Sequence, residues 1–145
     1  PDTGQCRRIL REDWPTGWTE NRPAFRPLSD GRRFIWASNR DGWRNYDLYE
    51  FSGRLVNQIT RLSGVDAGAI VTVDERAGLM FYLADDGDTR LKAQLHRVRL
   101  DGTGDERLTN PAFHHRVSVS PDGRYLIYAQ LDDPASDLML VEDFR

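Results

Sequence analysis

Cysteine is nearly absent from the sequence, and long apolar runs are absent altogether. The single cysteine, Cys6, cannot form a disulfide within the chain, which excludes a disulfide-stapled scaffold. The longest apolar run, residues 67–73 (AGAIVTV), has the length of one strand and falls far short of the roughly 20 residues that span a bilayer. The formal net charge of −3 provides no basic field for nucleic acid or anionic lipid. We therefore predict neither a nucleic-acid partner nor a membrane partner.

A secretion signal and a sustained helical pattern are missing as well. Residues 1–10 have no apolar centre and no small-residue cleavage pattern. They also begin without methionine, so we expect a piece of a longer protein, whose compartment stays open with a periplasmic or secreted location as one option. No window shows a sustained apolar period of about 3.6 residues, so helix should be minor. With 39% hydrophobic and 30% charged residues, the 145 residues suit one globular domain.

What the sequence does contain is an internal repeat, carried by three apolar clusters. The clusters FIW (34–36), MFY (80–82) and LIY (126–128) lie 46 residues apart, and then 46 again. Each follows a turn-forming stretch: Asp30-Gly31 before the first, DERAG (74–78) before the second and Asp122-Gly123 before the third. These residues suit turns because aspartate bonds to the neighbouring backbone and glycine accepts a positive φ.

Further strands follow each cluster. YDLYEF (46–51), QLHRVRL (94–100) and DLMLVED (137–143) are the next strands, and the first two alternate apolar and polar residues as half-buried strands do. Tight turns then lead to last strands that end in QIT (58–60) and RLT (107–109). We expect Asp41-Gly42 to form a type I′ hairpin turn. The residues predicted as structural turns are Asp30, Gly31, Asp41, Gly42, Asp101, Gly102, Asp122 and Gly123.

Units of four short strands that repeat about every 46 residues are typical of β-propeller blades. We predict an all-β fold, a portion of a β-propeller with about three four-stranded antiparallel blades in an incomplete ring. Residues 1–10 would be the last strand of a preceding blade, 24–60 and 69–109 two blades, and 115–143 the first three strands of another. Ile9, Ile59 and Leu108, spaced by 50 and 49 residues, would mark the last strands. A meandering β-sandwich is the alternative fold.

An arc of about three blades would leave strand edges and apolar flanks uncovered, because propellers close with about four to eight blades. Two explanations remain. The chain is part of a larger propeller, or several copies complete a ring as a homo-oligomer. We favour the first, because the sequence begins without methionine and in the middle of a predicted blade.

The run from Phe34 to Thr60, FIWASNRDGWRNYDLYEFSGRLVNQIT, resembles a blade from the N-terminal propeller of the dipeptidyl peptidase IV family. These proteins are serine exopeptidases of the prolyl oligopeptidase group. GVD (64–66), LHRVRLDGTGDERLT (95–109) and HHRVSVSPDGRYLIYA (114–129) follow in that family's order, and TGW (16–18) is similar to the segment that enters this region. The resemblance covers nearly the whole chain and implies the last blades before the catalytic domain.

The resemblance implies a role without chemistry of its own. The family's nucleophile lies in a G-x-S-x-G elbow of an α/β-hydrolase domain, and this sequence has neither that motif nor the pattern of such a domain. The adjacent glutamates that hold the substrate's free amine in the family are missing too. We therefore predict no catalytic residue and no cofactor. The implied partners are the α/β-hydrolase domain of the parent chain and a peptide substrate of the parent. The alternative is a free-standing or oligomeric propeller that binds other proteins, as in the Tol system.

Candidate binding residues are few. The binding-surface candidates belong to one loop between predicted blades: Trp14, Thr16, Gly17 and Trp18. Trp36 is expected in the blade core, and Trp43 is expected to pack over the turn that precedes it.

Patterns that would bind a metal are weak. The run DDGD (85–88) lacks the length and the terminal glutamate of a calcium loop and is typical of a hairpin turn. His114 and His115 are adjacent in a predicted strand, so their side chains should point to opposite faces. His96 has no second ligand at a suitable spacing. We predict no metal site.

Overall fold

The structure, a computed structural model, describes residues 4–13, 24–85, 93–109, 117–120, 124–132 and 135–142. In these ranges the chain forms strands and turns, and it contains no helix that could cross a membrane. The strands form three antiparallel sheets. The first sheet is formed by β1 (Phe25–Pro27), β2 (Arg33–Ser38), β3 (Asn45–Glu50) and β4 (Leu55–Gln58). The second is formed by β5 (Ala67–Asp74), β6 (Leu79–Asp85), β7 (Ala93–Arg99) and β8 (Glu106–Arg107). The third is formed by β9 (Val117–Val119), β10 (Tyr125–Asp132) and β11 (Ala135–Glu142).

Each sheet is a simple meander, because neighbouring strands in space are also neighbours in the chain. The prediction of an all-β fold made from successive antiparallel sheets is confirmed. The boundaries predicted for individual blades stay predictions. Residues 4–13, which include most of the segment predicted as the last strand of a preceding blade, contain no strand.

The loop between the first two strands of each sheet recurs every 46 residues. In the first sheet the loop is closed by the amide of Leu28, which donates to the carbonyl of Arg33 at 2.9 Å. The residues 46 positions later, 74 and 79, are paired in the second sheet, and 120 and 125 close the loop in the third. The three apolar clusters follow these loops directly. The sequence repeat is therefore also a repeat of backbone geometry.

Asp30 and Gly31 lie in the first of these loops. Asp30 Oδ1 accepts hydrogen bonds from the amides of Arg32 (2.8 Å) and Arg33 (3.0 Å), and Gly31 has a φ of 64°. The backbone bond from Arg32 and the side-chain bond from Arg33 lower the pKa of Asp30 to about 2. The carboxylate thus satisfies two amides that the loop would otherwise leave unpaired.

The hairpins between the last two strands bring neighbouring units into contact. The amide of Gly53 donates to Glu50 O, and that of Gly102 donates to Arg99 O, both at 2.9 Å. Both glycines have positive φ, 94° and 85°. A Cβ on Gly53 would lie 2.5 Å from Ile9 O, and one on Gly102 would overlap the carbonyl oxygen of Gln58. Only glycine fits, because it accepts this φ and has no side chain.

These two contacts change one predicted equivalence. Ile9 touches Gly53 as Gln58 touches Gly102, so Ile9 corresponds to Gln58 rather than to Ile59. The exposed fractions agree, since the side chain of Ile9 is 37% exposed and that of Ile59 is 1% exposed. The predicted spacing of 50 residues, from Ile9 to Ile59, is therefore one residue too long. Hydrophobicity alone could not place the register, because Ile9 and Leu10 are adjacent apolar residues.

The predicted type I′ turn at Asp41-Gly42 is also wrong. The amide of Gly42 donates to Asn39 O at 2.9 Å, so the central residues of this turn are Arg40 and Asp41. Gly42 follows them with a φ of 86°. The loop between β2 and β3 spans residues 39–44, and this length allows a turn other than the two-residue type.

Two hydrophobic cores hold the sheets together. The first, between the first and second sheets, contains Leu28, Ile35, Ala37, Tyr46, Leu48, Ile59, Ala67, Met80, Tyr82, Ala84, Val98 and Leu100. The second, between the second and third sheets, contains Phe81, Leu83, Ala93, Leu95, Leu126 and Tyr128. Met80 and Phe81 enter different cores because successive side chains of a strand point to opposite faces. Each such burial contributes about 1.5–3 kcal/mol relative to exposure.

The apolar clusters are not buried equally. Ile35, Phe81 and Ile127 occupy equivalent positions and are 0%, 2% and 45% exposed. Three successive apolar residues such as LIY (126–128) would be expected in a strand core, but Ile127 is not, because no described sheet covers that face of β10. Trp36, also predicted in the core, is half-buried, and its indole N–H donates to Glu12 Oε1 at 3.0 Å.

Candidate functional site

Two clefts lie at opposite ends of the first strands. The first, which we call the arginine cleft, has a volume of about 390 Å³. Its lining comes from β1, from the start of β3 and from the start of β5. The lining residues are Ala24, Phe25, Arg26, Pro27, Arg44, Tyr46, Ala69 and Ile70. The volume falls within the range of small-ligand sites, about 300–1,000 Å³.

Hydrogen bonds between the first two sheets fix the walls of the arginine cleft. The amide of Arg44 donates to Asp66 Oδ1 at 2.7 Å, and the amide of Ala67 donates to Arg44 O at 2.8 Å. The hydroxyl of Tyr46 donates to the carbonyl of Gly68. Burial raises the pKa of Tyr46, so its phenol stays neutral. The floor of the cleft is therefore rigid and uncharged.

The charge of the arginine cleft has one sign. Arg26 and Arg44 line it, and no aspartate or glutamate does. Both arginines are half-buried, and neither guanidinium forms an ion pair with any residue that the structure describes. The cleft thus offers two cationic donors beside apolar surface from Phe25 and Ile70.

The second cleft, which we call the acidic cleft, has a volume of about 520 Å³. It lies at the other end of β5, beside the loops that recur every 46 residues. The lining residues are Ser29, Thr72, Val73, Asp74, Glu75, Arg76, Phe81, Val119 and Ser120. Glu75 joins the first two loops, because its carboxylate accepts from the amide (2.8 and 2.9 Å) and the hydroxyl (2.6 Å) of Ser29.

An ion pair with a buried carboxylate lies on the first sheet, between β3 and the loop that precedes it. Arg40 Nη2 is 2.6 Å from Asp47 Oδ2, and Arg40 Nη1 donates to the hydroxyl of Tyr49 at 2.9 Å. The side chain of Asp47 is 1% exposed, and neither of its carboxylate oxygens has a hydrogen-bond partner among the described residues beyond the ion pair with Arg40. Burial raises the pKa of Asp47 to about 6, against the opposing effect of Arg40, and the nearby Asp41 and Glu12 add to the rise. The pair also anchors the loop that carries Arg44.

A tyrosine, a histidine and an aspartate meet on the second sheet. The hydroxyl of Tyr82 donates to Asp105 Oδ2 at 2.7 Å, and His96 Nδ1 lies 3.1 Å from Asp105 Oδ1. Burial and the bond to Asp105 raise the pKa of Tyr82, so this hydroxyl is a donor and not a nucleophile. No serine or cysteine among the described residues bonds to His96. The group is therefore a structural network rather than a nucleophile with its base.

The predicted binding-surface residues Trp14, Thr16, Gly17 and Trp18 lie outside the described residues, as do Asp122, Gly123, His114, His115 and residues 86–88 of the DDGD run. Asp101 and Gly102 lie in the hairpin between β7 and β8. Asp101 Oδ1 accepts from the amide (2.9 Å) and hydroxyl (2.7 Å) of Thr103, and these bonds lower the pKa of Asp101. No group of three or more metal-ligating side chains occurs in the described part of the chain.

Sequence reasoning missed Arg26 and Arg44. They stand 18 positions apart, Arg26 on β1 and Arg44 in the loop before β3, and form no motif. The cleft that both arginines line forms only because β5 packs against the first sheet. The one available signal was the position of Arg26 on a first strand, which sequence reasoning did not use.

Comparison with known structures identifies the class of fold. TolB from Acinetobacter baumannii is similar to this chain with a TM-score of 0.57, at 18% sequence identity, over 85% of this chain and 29% of that chain. This chain thus corresponds to less than a third of the TolB chain. The repeated antiparallel sheets and this likeness define a segment of a β-propeller.

The family follows from the sequence. The family described as the dipeptidyl peptidase IV (DPP IV) N-terminal region matches residues 1–135. The chain belongs to this family. The expectation drawn from the resembling runs between Phe34 and Ala129 is thereby confirmed.

Proposed function

We propose that this chain is a non-catalytic propeller segment of a DPP IV-like serine peptidase. It would form part of the wall of the cavity through which peptides reach an α/β-hydrolase domain of the parent protein. The observation that carries the proposal is the family match over residues 1–135. The absence of a G-x-S-x-G motif from the sequence is consistent with a wall rather than a catalytic site.

The positions of the clefts support this role. β5 and β9, the first strands of the second and third sheets, lie in contact with each other. In a propeller, blades surround a central channel. Both clefts are lined by first strands, so residues of the arginine cleft and of the acidic cleft would face the route taken by a peptide.

The test compares the 145-residue chain with its parent protein. We expect the complete reading frame to encode an α/β-hydrolase domain with a G-x-S-x-G elbow, and the whole protein to cleave Gly-Pro-p-nitroanilide. The chain alone should release no p-nitroaniline. Turnover by the chain alone that persists with a serine-protease inhibitor would contradict the non-catalytic role. A reading frame without a hydrolase domain would contradict the peptidase context.

A free-standing or oligomeric propeller that binds proteins is the second candidate. The observation in its favour is a face of the third sheet that no other described sheet covers, where Ile127 is 45% and Leu140 55% exposed. Light scattering separates the two candidates, because copies that cover each other's faces would give a discrete multiple of 16.7 kDa. A monomer would leave the peptidase segment as the better explanation.

A further inference from the structure

We propose that the arginine cleft binds a carboxylate that is attached to an apolar group, such as the C-terminal end of a short peptide. Arg26 and Arg44 would hold the carboxylate, and Phe25 and Ile70 would contact the apolar part. The site is made only of residues in this chain. The proposal therefore does not depend on the peptidase context.

The first reason is the state of the two cations. Both arginines line the cleft and are half-buried, and neither has a carboxylate partner among the residues that the structure describes. Partial burial of a charge is costly unless the charge is paired. By contrast, Arg40 and Arg97 each have a carboxylate at 2.6 Å, from Asp47 and Glu106. The described lining of the cleft that Arg26 and Arg44 share contains no carboxylate.

The second reason is the chemistry of the donors. A guanidinium presents a planar fork of N–H groups that matches the two oxygens of a carboxylate. Arginines from a strand and from a neighbouring loop can address the same anion from two sides. The backbone of Arg44 is held from both directions by Asp66 and Ala67, so its position is fixed before a ligand arrives. Such preorganisation lowers the entropic cost of binding.

The third reason is the apolar floor. The ring of Phe25 is 51% exposed, and Ile70 is half-buried at the edge of the first core. Tyr46 closes the bottom with its hydroxyl already bonded to Gly68. A free inorganic anion would leave this apolar surface in contact with water. A carboxylate with a neighbouring apolar side chain covers it.

The experiment is a titration of the 145-residue chain with N-acetylphenylalanine, followed by amide chemical shifts. N-acetylphenylalanine amide is the matched neutral ligand. We expect shifts at Arg44 and Ile70 and about tenfold or greater preference for the acid, the size expected for charge-assisted hydrogen bonds. Equal affinity for acid and amide, shifts located elsewhere, or no shifts would overturn the proposal.

Variants assign the effect to the two arginines. R26Q and R44Q should each weaken binding of the acid at least about fivefold and leave the amide nearly unchanged. R99Q removes the same charge from an exposed position on β7 and should leave both affinities unchanged. If R99Q weakens the acid as much as R26Q does, net charge and not a site explains the binding. Circular dichroism checks folding, and R26K, which keeps the charge without the planar fork, should bind with intermediate affinity.

Discussion

The first and second sheets share one backbone plan but differ in the polar residues at equivalent positions. Both have four strands, a first loop at the 46-residue spacing, and a glycine hairpin that touches the preceding segment. Trp36 is paired across the strands with Asp47 in the first sheet, and Tyr82 is paired with His96 in the second. In the first of these pairs the buried polar group is the carboxylate of Asp47, and in the second it is the phenol of Tyr82.

Asp47 in the first sheet and Tyr82 in the second have different kinds of polar partner. Asp47 depends on its ion pair with Arg40, which comes from the loop between β2 and β3, and neither of its oxygens has a further hydrogen-bond partner among the described residues. Tyr82 is bonded to Asp105, which comes from the opposite end of the sheet and also contacts His96. The same blade geometry thus accepts an ion pair or a neutral donor with an anionic acceptor, provided that a loop supplies the partner.

The largest effect should come from the feature that the two sheets share. Gly102→Ala and Gly53→Ala should each lower the free energy of unfolding by about 2–5 kcal/mol. A positive φ costs about 1–2 kcal/mol for a non-glycine residue, and overlap with backbone adds about 1–3 kcal/mol. Gly42→Ala is the control, because its φ is also positive but no atom lies within 4 Å of the added Cβ. Urea unfolding measures all three. Equal losses in the three variants would show that the contacts with Ile9 and Gln58 do not matter.

An intermediate effect should appear in the pH dependence of the free energy of unfolding, through Asp47 in the first sheet. The pKa of Asp47 is raised to about 6 in the folded chain from 3.8, so the folded state binds this proton more tightly than the unfolded state. The contribution to stability therefore rises as pH falls from about 6 towards 4, by up to about 3 kcal/mol, and is lost above pH 6.

The variant Asp47→Asn isolates this contribution. Its free energy of unfolding should change less between pH 7 and pH 4.5 than that of the natural chain, because asparagine carries no titrating proton. Urea unfolding at four pH values between these limits gives both curves. The difference between the curves removes the contribution of other groups, including Asp30 with its pKa of about 2, which acts below this window. Parallel curves would contradict the assignment to Asp47.

The smallest effect on stability should come from removing the hydrogen bonds that the side chains of Tyr82 and Trp36 donate. Tyr82→Phe should cost about 1–2 kcal/mol, because it removes a hydrogen bond from a buried hydroxyl to a carboxylate. Trp36→Phe removes the bond to Glu12, which is partly exposed to water, so its hydrogen-bond loss should be smaller. Thermal unfolding at pH 7 provides the comparison, with Tyr125→Phe as a control for loss of a hydroxyl from a residue that is 38% exposed. A cost for Tyr82→Phe no greater than that of the control would remove the proposed importance of Asp105.

The repeat was predictable because its signals are local. Asp30 and Gly31 form a turn through bonds within four residues, and FIW, MFY and LIY are apolar wherever they fold. The sheets and their order followed from these signals. The turn type at Asp41-Gly42 was not predictable in this way. The dipeptide fits a two-residue turn, but it also fits the observed turn, in which the amide of Gly42 donates to Asn39 O. The exposure of Ile127 could not be read either, because it depends on whether another sheet covers β10.

The candidate site lay beyond sequence reasoning for a related reason. Arg26 is one of many arginines in the sequence, and Arg44 follows a turn like others in the chain. Neither their shared cleft nor the lack of an ion pair to their guanidinium groups among the described residues is a property of local sequence. Similarly, the alternation in YDLYEF predicted a half-buried strand, but Asn45 to Tyr49 are all buried, and the raised pKa of Asp47 arises from this packing.

The sequence by itself determined the four-strand unit, its 46-residue spacing and the loops that need aspartate or glycine, since these depend on backbone sterics and on hydrogen bonds between near neighbours. It also determined the family. The tertiary structure alone decided which apolar faces are buried, which glycines touch a neighbouring segment, and which charges meet. Those properties depend on how one sheet packs against the next, and burial and charge pairing act through distances in space, which the order of residues along the chain does not specify.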